Sequence, residues 1–170
     1  DTNPTEIATA IVRSGFGYQG RKCSAASRVY MTDNMWEKVR PVLTQFMLQI
    51  NVGDVADFKN YLGAIISEQE YKKITGYIDR ARDARTTREI IGGQYHDTNG
   101  WWIYPCVVVT DTHHAETMQD EIFGPLVTIF THPTIKSLEQ YARGASFYRL
   151  TGSVQTNDIY QLSHSLETFR

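Results

Sequence analysis

Apolar residues in this chain recur with two different periods, and the two periods alternate from one segment to the next. The first helical segment opens on Asn3-Pro4-Thr5-Glu6: a capping Asn, a proline at the first helical position and a Glu three residues after the cap. Ile7, Ile11 and Val12 follow at helical spacing, with Phe16 after them, until Gly15, Gly17 and Gly20 break the pattern. Arg28-Val29-Tyr30-Met31 then reads as a short strand. A second helix is predicted from Asp33, with Met35, Val39, Leu43, Phe46, Met47 and Ile50 on one face and a kink or interruption at Pro41. Ser67-Glu68-Gln69-Glu70 is a capping box ahead of Tyr71, Ile74, Ile78 and Ala81. Further strands are expected at 89–91, within 102–109, at 126–130 and at 150–155. A helix should carry Ile135, Leu138, Tyr141 and Ala142, and Asp158 should cap the last one. This alternation demands a sheet covered by helices, so the predicted fold class is α/β with a mainly parallel sheet and flanking helices. In such sheets ligands bind beyond the carboxyl ends of the strands, and a site is expected there.

Several function classes drop out on bulk properties. The 170 residues, 41% hydrophobic and 21% charged, suit one soluble domain with a real core rather than two. A net charge of −2, with both signs mixed along the chain, leaves no electrostatic footprint for nucleic acid. No apolar run approaches the ~20 residues of a membrane span, and no signal-like stretch opens the chain. Two cysteines, Cys23 and Cys106, make no disulfide framework, which points to a reducing compartment. The chain starts at Asp1 and stops at Phe169-Arg170 in a helical pattern, as expected of a piece of a longer protein.

The most informative stretch is Gly17-Tyr18-Gln19-Gly20-Arg21-Lys22-Cys23-Ser24. Glycines let a backbone approach a ligand closely, and a cysteine in such a loop can reach it. Arg21 and Lys22 would favour the thiolate, which is the reactive form, and a helix beginning after Cys23 would add its dipole. Read by residue type alone, Cys23 is a nucleophile or a small buried side chain. The glycines do not make a phosphate loop, because the spacing differs and Cys23 follows the Lys. A Gly-x-x-Gly nucleic-acid loop needs a helix on each side, and here a strand follows.

The longer run Phe16-Gly17-Tyr18-Gln19-Gly20-Arg21-Lys22-Cys23-Ser24-Ala25-Ala26-Ser27-Arg28 resembles the nucleophile segment of the aldehyde dehydrogenase family. Its Lys-Cys-Ser-Ala and Ser-Arg are similar to the 1-pyrroline-5-carboxylate branch of that family. Downstream, Glu121-Ile122-Phe123-Gly124-Pro125 resembles the family's Glu-x-Phe-Gly-Pro signature. Val52-Gly53-Asp54 and Leu150-Thr151-Gly152 match shorter landmarks in the same order.

The resemblance implies a catalytic-domain-like α/β fold, with all of 1–170 forming one cysteine-bearing partial domain and the dinucleotide-binding domain outside it. It implies that Cys23 attacks an aldehyde to give a hemithioacetal, which is oxidised to a thioester and hydrolysed to the acid, with the Cys23 backbone N–H on the oxyanion. Glu121 and Phe123 would bind the cofactor, NAD or NADP, through its nicotinamide ribose and nicotinamide end. Ser24 would hold the substrate's carboxylate, although a serine there could equally cap a following helix. The implied reaction is oxidation of glutamate γ-semialdehyde to glutamate in proline breakdown, in the mitochondrial matrix, by a homo-oligomer. The general-base glutamate and oxyanion asparagine would be supplied by the rest of the parent enzyme, so these 170 residues alone should not turn over. The alternative is a diverged, non-catalytic binding module of the same family.

The chain departs from the family pattern at Gly17, at Arg149, in Tyr104-Pro105-Cys106 and around Thr117-Met118. No metal site is expected: His113-His114 reads as a surface loop without a third ligand. Trp101-Trp102 reads as a half-buried strand start, Cys106 as core, and Arg80, Arg82, Arg85 and Arg88 as a basic helix end complementing the dipole.

Overall fold

The computed structural model describes residues 2–144, 146–148 and 150–169. Arg149, a departure from the family pattern, and Arg170 lie outside the described residues.

The chain begins with helix α1 (Pro4–Phe16), where the Asn3 side chain accepts from the Thr5 N–H. Strand β1 (Arg28–Thr32) runs into helix α2 (Asp33–Leu48), capped by the Thr32 hydroxyl. Pro41 does not interrupt α2. It lies on the exposed face beside exposed Glu37, so the carbonyl that loses its N–H partner is left to water rather than to the core. Helix α3 (Glu68–Asp83) leads to β2 (Thr87–Gly92), and the short pair β3 (Tyr95–His96) and β4 (Trp102–Ile103) follows. Trp101 and Trp102 are half-buried at the start of β4. Then come β5 (Cys106–Thr110), the single turn α4 (Glu116–Gln119), β6 (Leu126–His132), α5 (Ile135–Gly144) and α6 (Ile159–Thr168), with Asp158 capping α6.

The main sheet has the order β1-β6-β5-β2. β1 and β5 both run parallel to β6, and β2 closes the far edge antiparallel to β5. The fold is therefore a mainly parallel α/β sheet with flanking helices. Alternation along the central strands sorts the core into two layers. Val107, Val109, Val127 and Ile129 face α1 and α2, where Ile11, Phe16, Val39 and Leu43 are buried. Cys106, Val108 and Leu126 face α3 through Ile74 and Ile78, and Phe130 packs with Leu138 of α5. Burial on both faces explains why β5 and β6 read as continuous apolar runs.

One predicted strand does not form. Residues 150–155 are exposed and pair with no strand among the described residues. Leu150 has nothing to bury against, and an apolar segment becomes a strand only where a ladder and a core face receive it.

Candidate active site

Behind Phe16 the chain leaves α1 through Gly17–Gly20, where Tyr18 (φ 59°, ψ 42°) and Gln19 (φ 57°, ψ 26°) are left-handed and Gly20 continues at φ 67°. Left-handed backbone is costly for residues with a Cβ, and it persists where surrounding contacts determine it. Gln19 supplies one such contact: its amide oxygen accepts from the Gly63 N–H at 2.9 Å and its nitrogen donates to the Tyr18 carbonyl at 3.1 Å. Gly20 supplies another. A Cβ built there would collide with the Gly124 carbonyl, so the two backbones touch where no other residue type fits.

That contact joins the two motifs. Phe123 is itself left-handed at φ 58°, so three of the four left-handed non-glycine residues among those described (Tyr18, Gln19, Phe123) stand at this junction. Arg21 spans it. Its Nη1 donates to the Phe123 carbonyl at 3.1 Å and to Glu70 Oε2 at 2.8 Å, and its guanidinium lies over the Phe123 ring, 5.2 Å from the centroid. The hydrogen bond from Arg21 is the main reason the Glu70 carboxyl is held below its ordinary range, with partial burial opposing it.

Cys23 and Ser24 follow in an exposed turn closed by the Ala25 N–H donating to the Lys22 carbonyl at 2.9 Å. No helix begins there, so neither the dipole expected to act on Cys23 nor a capping role for Ser24 exists. The charge of Arg21, expected to act on the thiol, is instead matched by Glu70. Among the described residues no acceptor takes the Cys23 backbone N–H, and no donor reaches the half-buried Glu121 carboxylate. Both groups are available to a ligand. Glu121 is steadied from behind, because its neighbour Ile122 is buried and Asp120 accepts from the Tyr77 hydroxyl at 2.8 Å.

The two motifs stand at the opposite edge of the sheet from the carboxyl edge where a site was expected. Cys23 precedes β1 and Glu121 and Phe123 precede β6, so both motifs lie at the amino ends of parallel strands. The reason is local: the two motifs lie in loops that enter strands through left-handed residues, not in loops that leave them. At the carboxyl edge there is an open groove between α5 and α6, lined by Thr32, Lys136, Glu139 and His164, remote in the fold from the cysteine loop.

Glu70 was legible as a helix cap but not as a partner of Arg21, because nothing at a separation of 49 residues signals the pairing. Of the remaining candidates, Cys106 is fully buried, and burial pushes its thiol up to about 12. The His113 and His114 ring centroids lie 3.9 Å apart with the rings tilted by 40°, and His113 stacks on Tyr141. Arg80 pairs with Glu116, Arg82 with Asp79 and Arg88 with Asp33, so three of the four basic residues are engaged in surface ion pairs.

Comparison with known proteins identifies the family of the chain and its fold. The model of the aldehyde dehydrogenase family matches residues 1–170. A mitochondrial delta-1-pyrroline-5-carboxylate dehydrogenase of Danio rerio is 34% identical over 155 residues, covering 89% of this chain and 28% of its own length. The mitochondrial enzyme of that name from Homo sapiens is 32% identical over 160 residues, covering 91% of this chain and 28% of its own. The crystal structure of 1-pyrroline-5-carboxylate dehydrogenase from Thermus with bound NAD superposes with a TM-score of 0.89 at 27% identity, covering 98% of this chain and 32% of that one. The chain thus spans about three-tenths of the length of the relatives it matches.

Proposed function

The chain belongs to the aldehyde dehydrogenase family, and from that premise we propose that it is the cysteine-bearing part of an NAD-dependent enzyme that oxidises glutamate γ-semialdehyde to glutamate. The observation that carries this reading is the junction itself: the Cys23 loop and segment 121–125 touch through Gly20 and Gly124 and are bridged by Arg21.

In the proposed reaction Cys23 Sγ attacks the aldehyde carbon, and the free Cys23 N–H donates to the oxyanion that forms. Glu121, whose carboxylate accepts from no described residue, is suited to take the hydroxyls of a nicotinamide ribose, and Phe123 to flank the nicotinamide end. NAD, when bound, supplies the acceptor for the two electrons the aldehyde loses. Water then releases the acid from Cys23. Ser24, exposed beside the nucleophile and without a helix to cap, is free to hold the substrate's carboxylate. The dinucleotide-binding domain and the remaining catalytic groups belong to the rest of a longer, homo-oligomeric protein. NADP is a weaker candidate, since the related structure is described with NAD. Relatives named mitochondrial support a matrix location and a role in proline breakdown.

The test uses the full-length protein. Replacing Cys23 with Ala should abolish oxidation of every aldehyde. Ser24→Ala should remove one hydrogen bond to a charged group, on the order of 1.5–3 kcal/mol, or about tenfold or more in kcat/KM for glutamate semialdehyde. A short aliphatic aldehyde has no carboxylate and should lose much less. Equal losses on the two substrates would withdraw the substrate assignment and leave an aldehyde dehydrogenase.

A further inference from the structure

Arg21 makes three contacts, two to Phe123 and one to Glu70 of α3. One guanidinium nitrogen donates to the Phe123 carbonyl, the same nitrogen donates to Glu70, and the guanidinium covers the Phe123 ring at 5.2 Å. Phe123 needs such support, because its backbone is left-handed and its side chain is half-buried rather than packed into the core. Glu70 is itself fixed, three residues past Ser67, with its N–H donating to the Ser67 hydroxyl at 3.3 Å. In a complete capping box the Glu carboxylate turns back to the cap's N–H. Here the Glu70 carboxylate reaches across to Arg21, with Lys73 a further 3.8 Å neighbour. Arg21 stands two residues before Cys23 and directly after Gly20. The planar guanidinium aims both N–H groups of Nη1 at Glu70 and the Phe123 carbonyl while its face lies over the ring, a fixed geometry that a compact ammonium on a flexible stem does not hold.

We propose that Arg21, oriented by Glu70, is a positioning residue that sets the Phe123 ring relative to Cys23 and so prepares the seat for the nicotinamide end of the cofactor. This rests on the function proposed above for the Cys23 and Phe123 segments. Its two halves have separate jobs: Arg21 holds the ring and its carbonyl, and Glu70 keeps the guanidinium from swinging into solvent. The remote end of the cofactor is left to the rest of the protein, so the clamp acts on one end of the ligand.

The experiment measures NAD binding to the full-length protein by calorimetry without aldehyde, alongside iodoacetamide modification of Cys23 with and without NAD, and steady-state kinetics. Arg21→Ala should weaken NAD binding by about tenfold, the scale of one lost charge-assisted contact. It should raise KM for NAD while leaving KM for the aldehyde near wild type, and NAD should no longer change the modification rate of Cys23. Arg21→Lys should not restore binding. Glu70→Gln should give a smaller shift in the same direction and add nothing in the Arg21→Ala background. Unchanged NAD affinity in Arg21→Ala, or full rescue by lysine, overturns the proposal, the second because it would make Arg21 a charge beside the thiol. Should Arg21→Ala fail to fold, Glu70→Gln decides alone, since it keeps the Ser67 cap: unchanged affinity there is equally fatal. Cys23→Ala in the same protein separates the two readings. Retained oxidation would sink the catalytic assignment, whereas lost oxidation with normal NAD binding in Arg21→Ala would sink this inference alone.

Discussion

The two cysteines differ in their access to solvent. Cys23 is exposed in a loop, and Cys106 is fully buried at the start of β5 with its thiol pushed up to about 12. At pH 8 that leaves on the order of one Cys106 in 10,000 as thiolate, even before access is considered. Iodoacetamide at pH 8 should therefore label Cys23 first, and Cys106 only when the protein is unfolded. Comparable labelling of both in the native protein would contradict the assignment of Cys23. Gly20 offers a second test, since an added Cβ meets the Gly124 carbonyl at a positive φ. Gly20→Ala should destabilise the protein by about 1–3 kcal/mol, read from the midpoint of urea unfolding. At this scale the sequence was informative where a residue type has few other uses. A glycine next to a cysteine loop, or a Glu followed by Phe-Gly-Pro, carries its reason with it. Arg21 was legible only as a charge, because its guanidinium acts on Glu70 and Phe123, which are distant in the chain.

Among elements, α3 does more than cover the sheet. Tyr77 on its inner side donates to Asp120, the residue before Glu121, so the helix anchors the approach to β6. Burial first, and that hydrogen bond second, push the Tyr77 hydroxyl from 10.0 up to about 12. The sign follows from the phenolate being disfavoured in the folded state. The stability gained is fully present below pH 10 and is lost as pH rises from 10 through 12. Thermal unfolding in that window should fall less steeply for Tyr77→Phe than for wild type, and at pH 8 the variant should be about 1 kcal/mol less stable. An unchanged alkaline profile would show that Tyr77 is not the group responsible. Element types were readable wherever both faces of a segment are buried or one face is continuous, as in β5, β6, α1 and α3. They were misread where placement depends on a neighbour the sequence does not announce. Residues 150–155 have the composition of a strand but no ladder partner among the described residues. The site's edge was likewise invisible, because periodicity says which segments are strands and nothing about which end of them carries left-handed loops.

At the scale of the whole molecule, apolar side chains that a self-sufficient core would cover are open to solvent. Phe58 is fully exposed, Phe147 99% and Leu48 83%, with Leu150, Ile159 and Tyr160 mostly so. Isolated exposed apolar residues are ordinary, but Phe147, Tyr148, Leu150, Ile159 and Tyr160 fall close together in the chain and leave an uncovered apolar surface. The relatives offer one source of cover: they are more than three times as long as the stretch this chain matches. If further chain in a protein of family length covers this surface, the 170 residues expressed alone should bind a hydrophobic dye. Chymotrypsin should cut them first at Phe147, Tyr148 or Leu150, where residues 150–155 have no sheet to hold them. The full-length protein should resist cleavage there and bind little dye, with later cuts falling elsewhere. The comparison isolates covering from folding, because β5 and β6 are buried on both faces by this chain's own helices and should survive in either form. Cleavage at the same three positions at the same rate in both proteins would mean that the exposed run stays open in the full-length protein. It would then have to serve a partner outside the chain.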